Sequence, residues 1–526
     1  MARGQISTCL SHSKCKQDRR NLPIFREMSV PKTDELEACR SKETPMDCTV
    51  SNPTARFRVL VALASYGTSN DHYLLRIIKE YRSMPFDIDI VLLSNLSKQP
   101  APDIEILVGL PDKRNPWSLP FSHKRVFTDR LEKYDLFIYS EDDMLITEAH
   151  LRAFLEVTAV LRDDEIAGFI RMEKGLDGSI NYPDVHENFH WDPTSLRSRA
   201  KYTFASFTNE HAACYLLTQG QLRRAIKSGG FLVEPHEWKY DLLCSAATDP
   251  YTQCGFTKLI PISHLDDFTV HHLSNKYVGK VGVDEPELRT QVDTMLRLAR
   301  NACIPVPLLD TETRLWRGMY SKDYYEAPSE EVISMIPPSA RRVLSIGCGS
   351  GATESRLVKG GLKVVAVPLD PIICSGAAAR GVEMVFGNFR TARGQLLGER
   401  FDCVLYLNVL HLARDPIEVL SLFGDVLSVD SMVLIQMPNM LCVPAVWQRI
   451  CNGRRYRDLG NYDLTGVHVT SIGKVRDWCR RSGLRVDQTV GILHHRAEFL
   501  RGLSAGFARL SMSPSFVTIA RRLRRR

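Results

Sequence analysis

No stretch of the chain approaches ~18 uninterrupted apolar residues, so a membrane-spanning helix is not expected. The opening stretch, Met1 to Asn21, carries Arg3, Lys14, Lys16, Arg19 and Arg20 without an apolar core and is not expected to act as a secretory signal. The 14 cysteines are scattered with no CxxC pair and no regular spacing. That sets aside zinc ribbons, zinc fingers and a disulfide framework, and predicts reduced thiols in a cytoplasmic protein. There is no internal repeat and no long low-complexity tract. Charge of neither sign dominates: 68 basic residues stand against 61 acidic ones, for a net charge of +7. Part of the excess sits at Arg521, Arg522, Arg524, Arg525 and Arg526. This basic tail reads mainly as a solvated terminus, with a peripheral membrane contact as its other use. No RNA-recognition signature accompanies it, and no nucleic-acid partner is expected.

What remains is ordinary globular composition, 44% hydrophobic and 25% charged, in a chain of 526 residues, which is too long for one core. Residues 1–55 are polar and without periodicity, and read as a disordered leader. Order is predicted to begin at Phe57–Ala64, a buried-strand run ending in the turn-rich Ser65-Tyr66-Gly67. An amphipathic stretch with Leu74, Leu75, Ile77, Ile78 and Tyr81 follows, then strand-like runs at Ile88–Leu93, Ile104–Val108 and Asp135–Tyr139. A second alternating block starts near residue 338, with strand candidates Arg342–Ile346, Val364–Val367, Met384–Phe386, Asp402–Leu407 and Met432–Met437. Strands alternating with helices predict an α/β fold with mostly parallel sheets covered on both faces, in two domains.

In the second block the run Val343-Leu344-Ser345-Ile346-Gly347-Cys348-Gly349-Ser350-Gly351 ends a strand and opens a helix near Ala352. Glycines at alternate positions make a tight turn and let backbone approach a ligand without a Cβ in the way. Phe401–Leu412, Asp415-Pro416 and His468-Val469-Thr470 follow in order. Together these resemble the class I S-adenosylmethionine-dependent methyltransferases. The resemblance implies a Rossmann-like seven-stranded domain, with Gly347, Gly349 and Gly351 binding S-adenosylmethionine. Two positions depart from the family pattern. Ser345 stands where an acid usually precedes the first glycine, and Pro368 where a carboxylate usually holds the ribose. Asp370 is the expected substitute, and Asn388 is expected to contact the adenine. His411, just beyond the fourth strand, is the candidate base for the attacking group.

In the first block, Glu141-Asp142-Asp143 follow an apolar strand directly. Adjacent carboxylates repel, so a cluster at a buried strand end is costly unless a hard divalent cation, Mg²⁺ or Mn²⁺, compensates. A solvated acidic turn before a helix capped by Thr147 is the alternative reading. The block resembles the GT-A type glycosyltransferases. The resemblance implies a metal at Glu141 and Asp143, with His271 or His272 as an added ligand and Ser65 and Tyr66 at the nucleotide. Asp241 and Glu237 are then the candidates for the acceptor's base. Asn188-Phe189-His190-Trp191 and Asn209-Glu210-His211 offer polar and aromatic groups to a sugar.

The expected domains are therefore 56–277, a GT-A-like nucleotide-sugar-binding α/β domain, and 326–495, a methyltransferase domain. They are joined by a linker at 278–325 and followed by a tail at 496–526. The leading reading is a bifunctional transferase. It would take a nucleotide-sugar donor and a divalent cation in its first half and S-adenosylmethionine in its second, acting on one glycan or glycolipid acceptor in polysaccharide biosynthesis. The alternative is a methyltransferase only, whose first half is a non-catalytic recognition module. A binding protein with two degenerate enzyme domains comes third.

Overall fold

The computed structural model describes residues 57–301, 306–493 and 510–523. The expected leader at 1–55 lies outside the described residues.

Apolar runs bounded by turns become the central strands of both halves. In the first half the sheet order is Cys214–Thr218, Leu136–Glu141, Arg58–Ser65, Asp87–Ser94, Glu105–Val108. The last four run parallel, and Cys214–Thr218 is antiparallel at the edge. Val61 is in register with Ile90 on one side and Ile138 on the other. All but the first residue of Arg58–Ser65 is buried, as a strand covered on both faces requires. Helix Asp71–Ser83 covers one face with Leu74, Ile77, Ile78 and Tyr81, apolar positions at helical spacing. Strand Thr269–His272 pairs antiparallel with Met144–Leu145, placing His272 opposite Met144 and so beside the acids that precede it.

The second half is one seven-stranded sheet in the order Glu383–Met384, Lys363–Pro368, Arg342–Cys348, Phe401–Leu407, Leu427–Pro438, Ser515–Arg522, Leu484–Ile492. Only Ser515–Arg522 runs against the others. This corrects the expected tail at 496–526. Phe516, Val517 and Ala520 are buried, and Arg521 pairs with Asp487 at 2.9 Å, so the apolar content of this run outweighs its terminal arginines. Residues 524–526 lie outside the described residues.

The expected linker at 278–325 is corrected too. Helix Glu285–Asn301 packs Leu288, Val292 and Met295 into a cluster with Trp191, Phe207 and Ile260 of the first half and Ile372 of the second. Beyond it, Leu308 N–H donates to Leu369 O (2.7 Å), and residues up to 326 run along the carboxyl edge of the seven-stranded sheet. Apolar residues shared by both halves take the place of a spacer. Among the described residues, no helix is long and apolar enough to cross a membrane.

Candidate functional site

Two carboxyl edges carry the chemistry-bearing residues. In the second half, strand Arg342–Cys348 turns into helix Ala352–Lys359 through the glycine loop. Gly347 and Gly351 hold φ values of +83° and +76°, which disfavour any side chain. A Cβ at Gly347 would meet Val409 at 2.6 Å, and one at Gly351 would meet Ala377 at 2.4 Å. At Gly349 the neighbour is backbone: a Cβ would lie 2.5 Å from the carbonyl oxygen of Tyr324. That same oxygen accepts the Ser350 N–H at 2.7 Å.

The segment over the loop was not announced by any motif. Lys322 is only 2% exposed, donates to the carbonyl of Leu407 at the end of the fourth strand (2.9 Å), and pairs with Glu326. Glu326 in turn accepts from the Asn408 side-chain amide at 2.8 Å. Burial pushes the Glu326 carboxyl up, against the pull of Lys322. Asn408 itself sits at φ +51°, a conformation asparagine tolerates better than most residues. The cavity left between segment and loop is about 20 Å³, room for about one water.

Sequence reasoning also missed Glu354. The family's acid is absent at Ser345, but the Ser345 hydroxyl donates to the buried Glu354 carboxylate at 2.5 Å. An acid in the first turn of the next helix thus stands beside the position where the strand lacks one. The available signal was the pairing of a small hydroxyl in the strand with a glutamate just after the loop.

Asp370 is buried just beyond strand Lys363–Pro368 and does not border the glycine-loop recess. One oxygen accepts the N–H groups of Ile372 and Ile373, both at 2.8 Å, while the other is buried without a hydrogen-bond partner. Burial pushes this carboxyl up, opposed by nearby His190. Asn388 caps helix Phe389–Gln395 through the N–H groups of Arg390 and Thr391, each at 3.0 Å. It lines a different and larger cavity of about 520 Å³, with Leu309, Phe389, Leu412 and Tyr462, and does not border the glycine-loop recess. His411 is corrected as the poised base. Its ring is buried, its Nε2 donates to the Tyr320 carbonyl at 2.9 Å, and its Nδ1 has no partner. Burial lowers its pKa to about 4, so the ring is neutral at pH 7 and turned toward backbone instead of an open acceptor space.

In the first half, the three acids end up in three surroundings. Asp142 accepts from the Ser65 hydroxyl (2.5 Å) and the Asn70 amide (2.8 Å), and Lys98 donates to Ser65 Oγ at 2.7 Å. Burial pushes the Asp142 carboxyl up, opposed by those two donors. Asp143 turns the other way and bonds His272 Nε2 at 3.0 Å. Burial would raise its carboxyl, but the His272 contact prevails and holds it below the usual range. Glu141 is half-buried, with one oxygen fully buried and unpartnered, and burial followed by the charge of Asp143 pushes it up to about 8. Tyr66 and Trp117, both about half exposed, wall a recess of about 230 Å³ with Asn70, Leu243, Glu141 and Asp142 on its other sides.

The expected metal set of Glu141, Asp143, His271 and His272 is not brought together. Among the described residues, no group of three or more His, Cys, Asp or Glu side chains is arranged to hold a metal ion. The reason is pairing inside the protein: His272 is held between Asp143 and Glu173, the latter at 2.6 Å. His271, its neighbour on an extended strand, points to the opposite face and meets Asn275 at 3.1 Å. The two base candidates are corrected as well. Asp241 caps helix Leu242–Thr252, accepting from Cys244 N–H at 2.9 Å, and Glu237 is exposed opposite Arg317 at 3.7 Å. Neither lines the Tyr66 recess. Trp191 is fully buried and offers no face to a sugar, and Glu210 is engaged by Tyr240 and Lys239.

Comparison with known proteins bears on the second half. The family model described as the methionine biosynthesis protein MetW matches residues 327–505. The ubiquinone biosynthesis O-methyltransferase of Xanthomonas axonopodis pv. citri is 23% identical over 174 residues, covering 31% of this chain and 71% of that protein. An uncharacterized methyltransferase of Mycobacterium tuberculosis is 46% identical over 55 residues, 10% of this chain and 22% of its own length. The tRNA U34 carboxymethyltransferase of Actinobacillus pleuropneumoniae is 27% identical over 205 residues, 36% of this chain and 57% of its own. Among solved structures, a SAM-dependent methyltransferase from Archaeoglobus fulgidus is 15% identical and covers 36% of this chain and 89% of that one, at a TM-score of 0.28. The second half is similar to methyltransferases.

Proposed function

We propose that the chain transfers a methyl group from S-adenosylmethionine to a glycan or glycolipid acceptor, with the first half serving to recognise that acceptor. The observation that carries the methyl-transfer reading is the glycine loop at the carboxyl edge of a seven-stranded sheet whose seventh strand alone is antiparallel. Residues there fit the cofactor. The unpartnered Asp370 oxygen is an acceptor that a ribose hydroxyl would satisfy, and Gly347, Gly349 and Gly351 leave the loop backbone free of side chains. The cofactor supplies an electrophilic methyl group on a sulfonium. The chain's own tasks are to seat it, exclude water and align the acceptor. Seating it requires Lys322, Tyr324 and Glu326 to withdraw from the loop, because they fill the recess. Melting curves of the full chain with S-adenosylmethionine test the reading, since a ligand that binds the native state raises its stability. Stabilisation, together with faster tryptic cleavage after Arg317 and Lys322, is expected. Unchanged melting up to millimolar cofactor would discard it.

The first half supports a second reading as a nucleotide-sugar transferase. Its support is Asp142 at the base of an aromatic-walled recess, next to Lys98, at the carboxyl end of a central parallel strand. A divalent cation would have to enter with the diphosphate, because among the described residues no set of the protein's own groups is assembled for it. Stabilisation by a nucleoside diphosphate-sugar with Mn²⁺, lost in Asp142→Asn, would establish this activity. Silence with every such donor leaves recognition as the role of this half.

A further inference from the structure

Helix Val443–Cys451 carries an apolar stripe that faces the wrong way for a core. Val443, Val446, Trp447 and Ile450 recur at the spacing of one helical face. In helix Asp71–Ser83 the same spacing puts Leu74, Ile77, Ile78 and Tyr81 at 3% exposure or less. Here the four residues are 55%, 37%, 67% and 71% exposed, Leu441 just before them is 51% exposed, and no residue of the helix is buried. The helix is held from its other side, where Arg449 donates to the carbonyl of Met440. Contiguous exposed apolar surface of this kind marks a place where something else packs.

Charge says what. From Asn439 to Arg457 there is no Asp or Glu, while Arg449, Arg454, Arg455 and Arg457 are all present. Arg454, Arg455 and Arg457 are exposed, and none of the three makes an ion pair among the described residues. Arg455 lies 3.8 Å over the Trp316 ring. A stripe of tryptophan and branched aliphatic side chains beside unpaired guanidiniums suits an anionic bilayer, where the apolar groups enter the acyl boundary and the arginines meet phosphates. A second copy of the chain is a poorer occupant, because it would bring the same arginines together. We propose that Leu441–Arg457 docks this protein on an anionic membrane surface. The helix follows strand Leu427–Pro438 at the same carboxyl edge as the glycine loop, and Trp316 belongs to the segment whose Tyr320 carbonyl holds His411. Docking there brings the edge carrying the methyl-transfer residues against the lipid.

The test is co-sedimentation of the full chain with vesicles of phosphatidylcholine, with and without phosphatidylglycerol, in the absence of S-adenosylmethionine. Its outcome is thereby separate from that of the activity proposed above. Binding is expected only with the anionic lipid, and is expected to weaken as salt rises. Trp447→Ser with Ile450→Ser should lower partitioning by at least about tenfold. Arg454→Glu with Arg457→Glu should lower it by more than about twentyfold, from roughly fivefold per arginine neutralised. Both variants change only exposed groups, so their melting should match the parent's. Three results would overturn the proposal: no binding to anionic vesicles, binding that neither variant weakens, or an apolar variant that alters only the sedimentation coefficient of the free protein. Equal affinity for a short RNA duplex, lost in the arginine variant and kept in the apolar one, would overturn it too.

Discussion

At the carboxyl edge of the first sheet two acids, Glu141 and Asp142, line an open recess walled by Tyr66 and Trp117, whereas at the edge of the second a glycine loop lies under a segment of its own chain. The difference is one of space. In the first half the space is free and Asp142 and Asp143 are paired, Asp142 with Ser65 and Asn70 and Asp143 with His272, while one Glu141 oxygen is left without a partner. In the second half the space is taken, while Asp370 Oδ2 and His411 Nδ1 stay buried without partners. Unpaired buried acceptors are costly, and their persistence in a packed structure points to a ligand that completes them. By that measure each edge keeps an unmet carboxylate oxygen, Glu141 in the first and Asp370 in the second, and the first has the larger opening.

The largest effect should come from His272→Ala. It leaves Asp143 and Glu173 buried without their shared partner and should cost about 3–5 kcal/mol of stability in denaturant unfolding. EDTA should leave the melting temperature of the parent chain unchanged, because His272 is engaged by protein carboxylates. A chelator-induced drop would reverse the comparison and restore a metal to the first edge. Next, Gly351→Ala combines a left-handed φ with a Cβ 2.4 Å from Ala377. It should cost about 2–3 kcal/mol and remove any shift on adding S-adenosylmethionine. Smaller still, Asp370→Asn should weaken cofactor binding about tenfold in calorimetric titration, the loss of one charge-assisted contact to a hydroxyl. A variant that binds as well as the parent would show that the unpartnered oxygen is not part of the seat.

A further effect is a slope with pH. Glu141 has its pKa raised from 4.5 to about 8 in the folded chain. Between these values the native state holds a proton that the unfolded state has released. This group's contribution to stability therefore falls as pH rises from 4.5 to about 8. Glu141→Gln should flatten that part of the curve, which melting at pH 5 and pH 8 would show. An equal slope in both proteins would mean that the carboxyl is already ionised at neutral pH.

Much of the scaffold was readable because its signals are local. The buried runs at Arg58–Ser65, Asp87–Ser94, Leu136–Glu141 and Phe401–Leu407 are too apolar to be anything but interior strands, and the glycine loop sits between a strand and a helix as its spacing required. The last strand escaped notice because its arginines outweighed Phe516 to Ala520 in a reading by composition. The sites were less readable, for reasons of distance. His272 and Asp143 are recognisable as neighbours, but Glu173, which claims the other ring nitrogen, comes 99 residues before His272. Asp241 was a base candidate only through the glycosyltransferase resemblance, whereas its side chain caps helix Leu242–Thr252. Lys322 and Glu326 form no known string, and only the fold brings them to Leu407 and Asn408.

Tyr324 deserves a last look as a wiring element. Its N–H donates to the carbonyl of Glu187 in the first half (2.8 Å), while its own carbonyl receives the N–H of Ser350 in the glycine loop (2.7 Å). A single residue thus spans the seam, with one polar contact on each bank. Severing the chain just after residue 325 to study the halves apart would strip the contact to Ser350, leaving an unmet acceptor on one fragment and an unmet donor on the other. Conversely, a shove delivered to the loop at Glu187 arrives at the glycines within two hydrogen bonds, so whatever settles on the first half has a short route by which to be felt at the second.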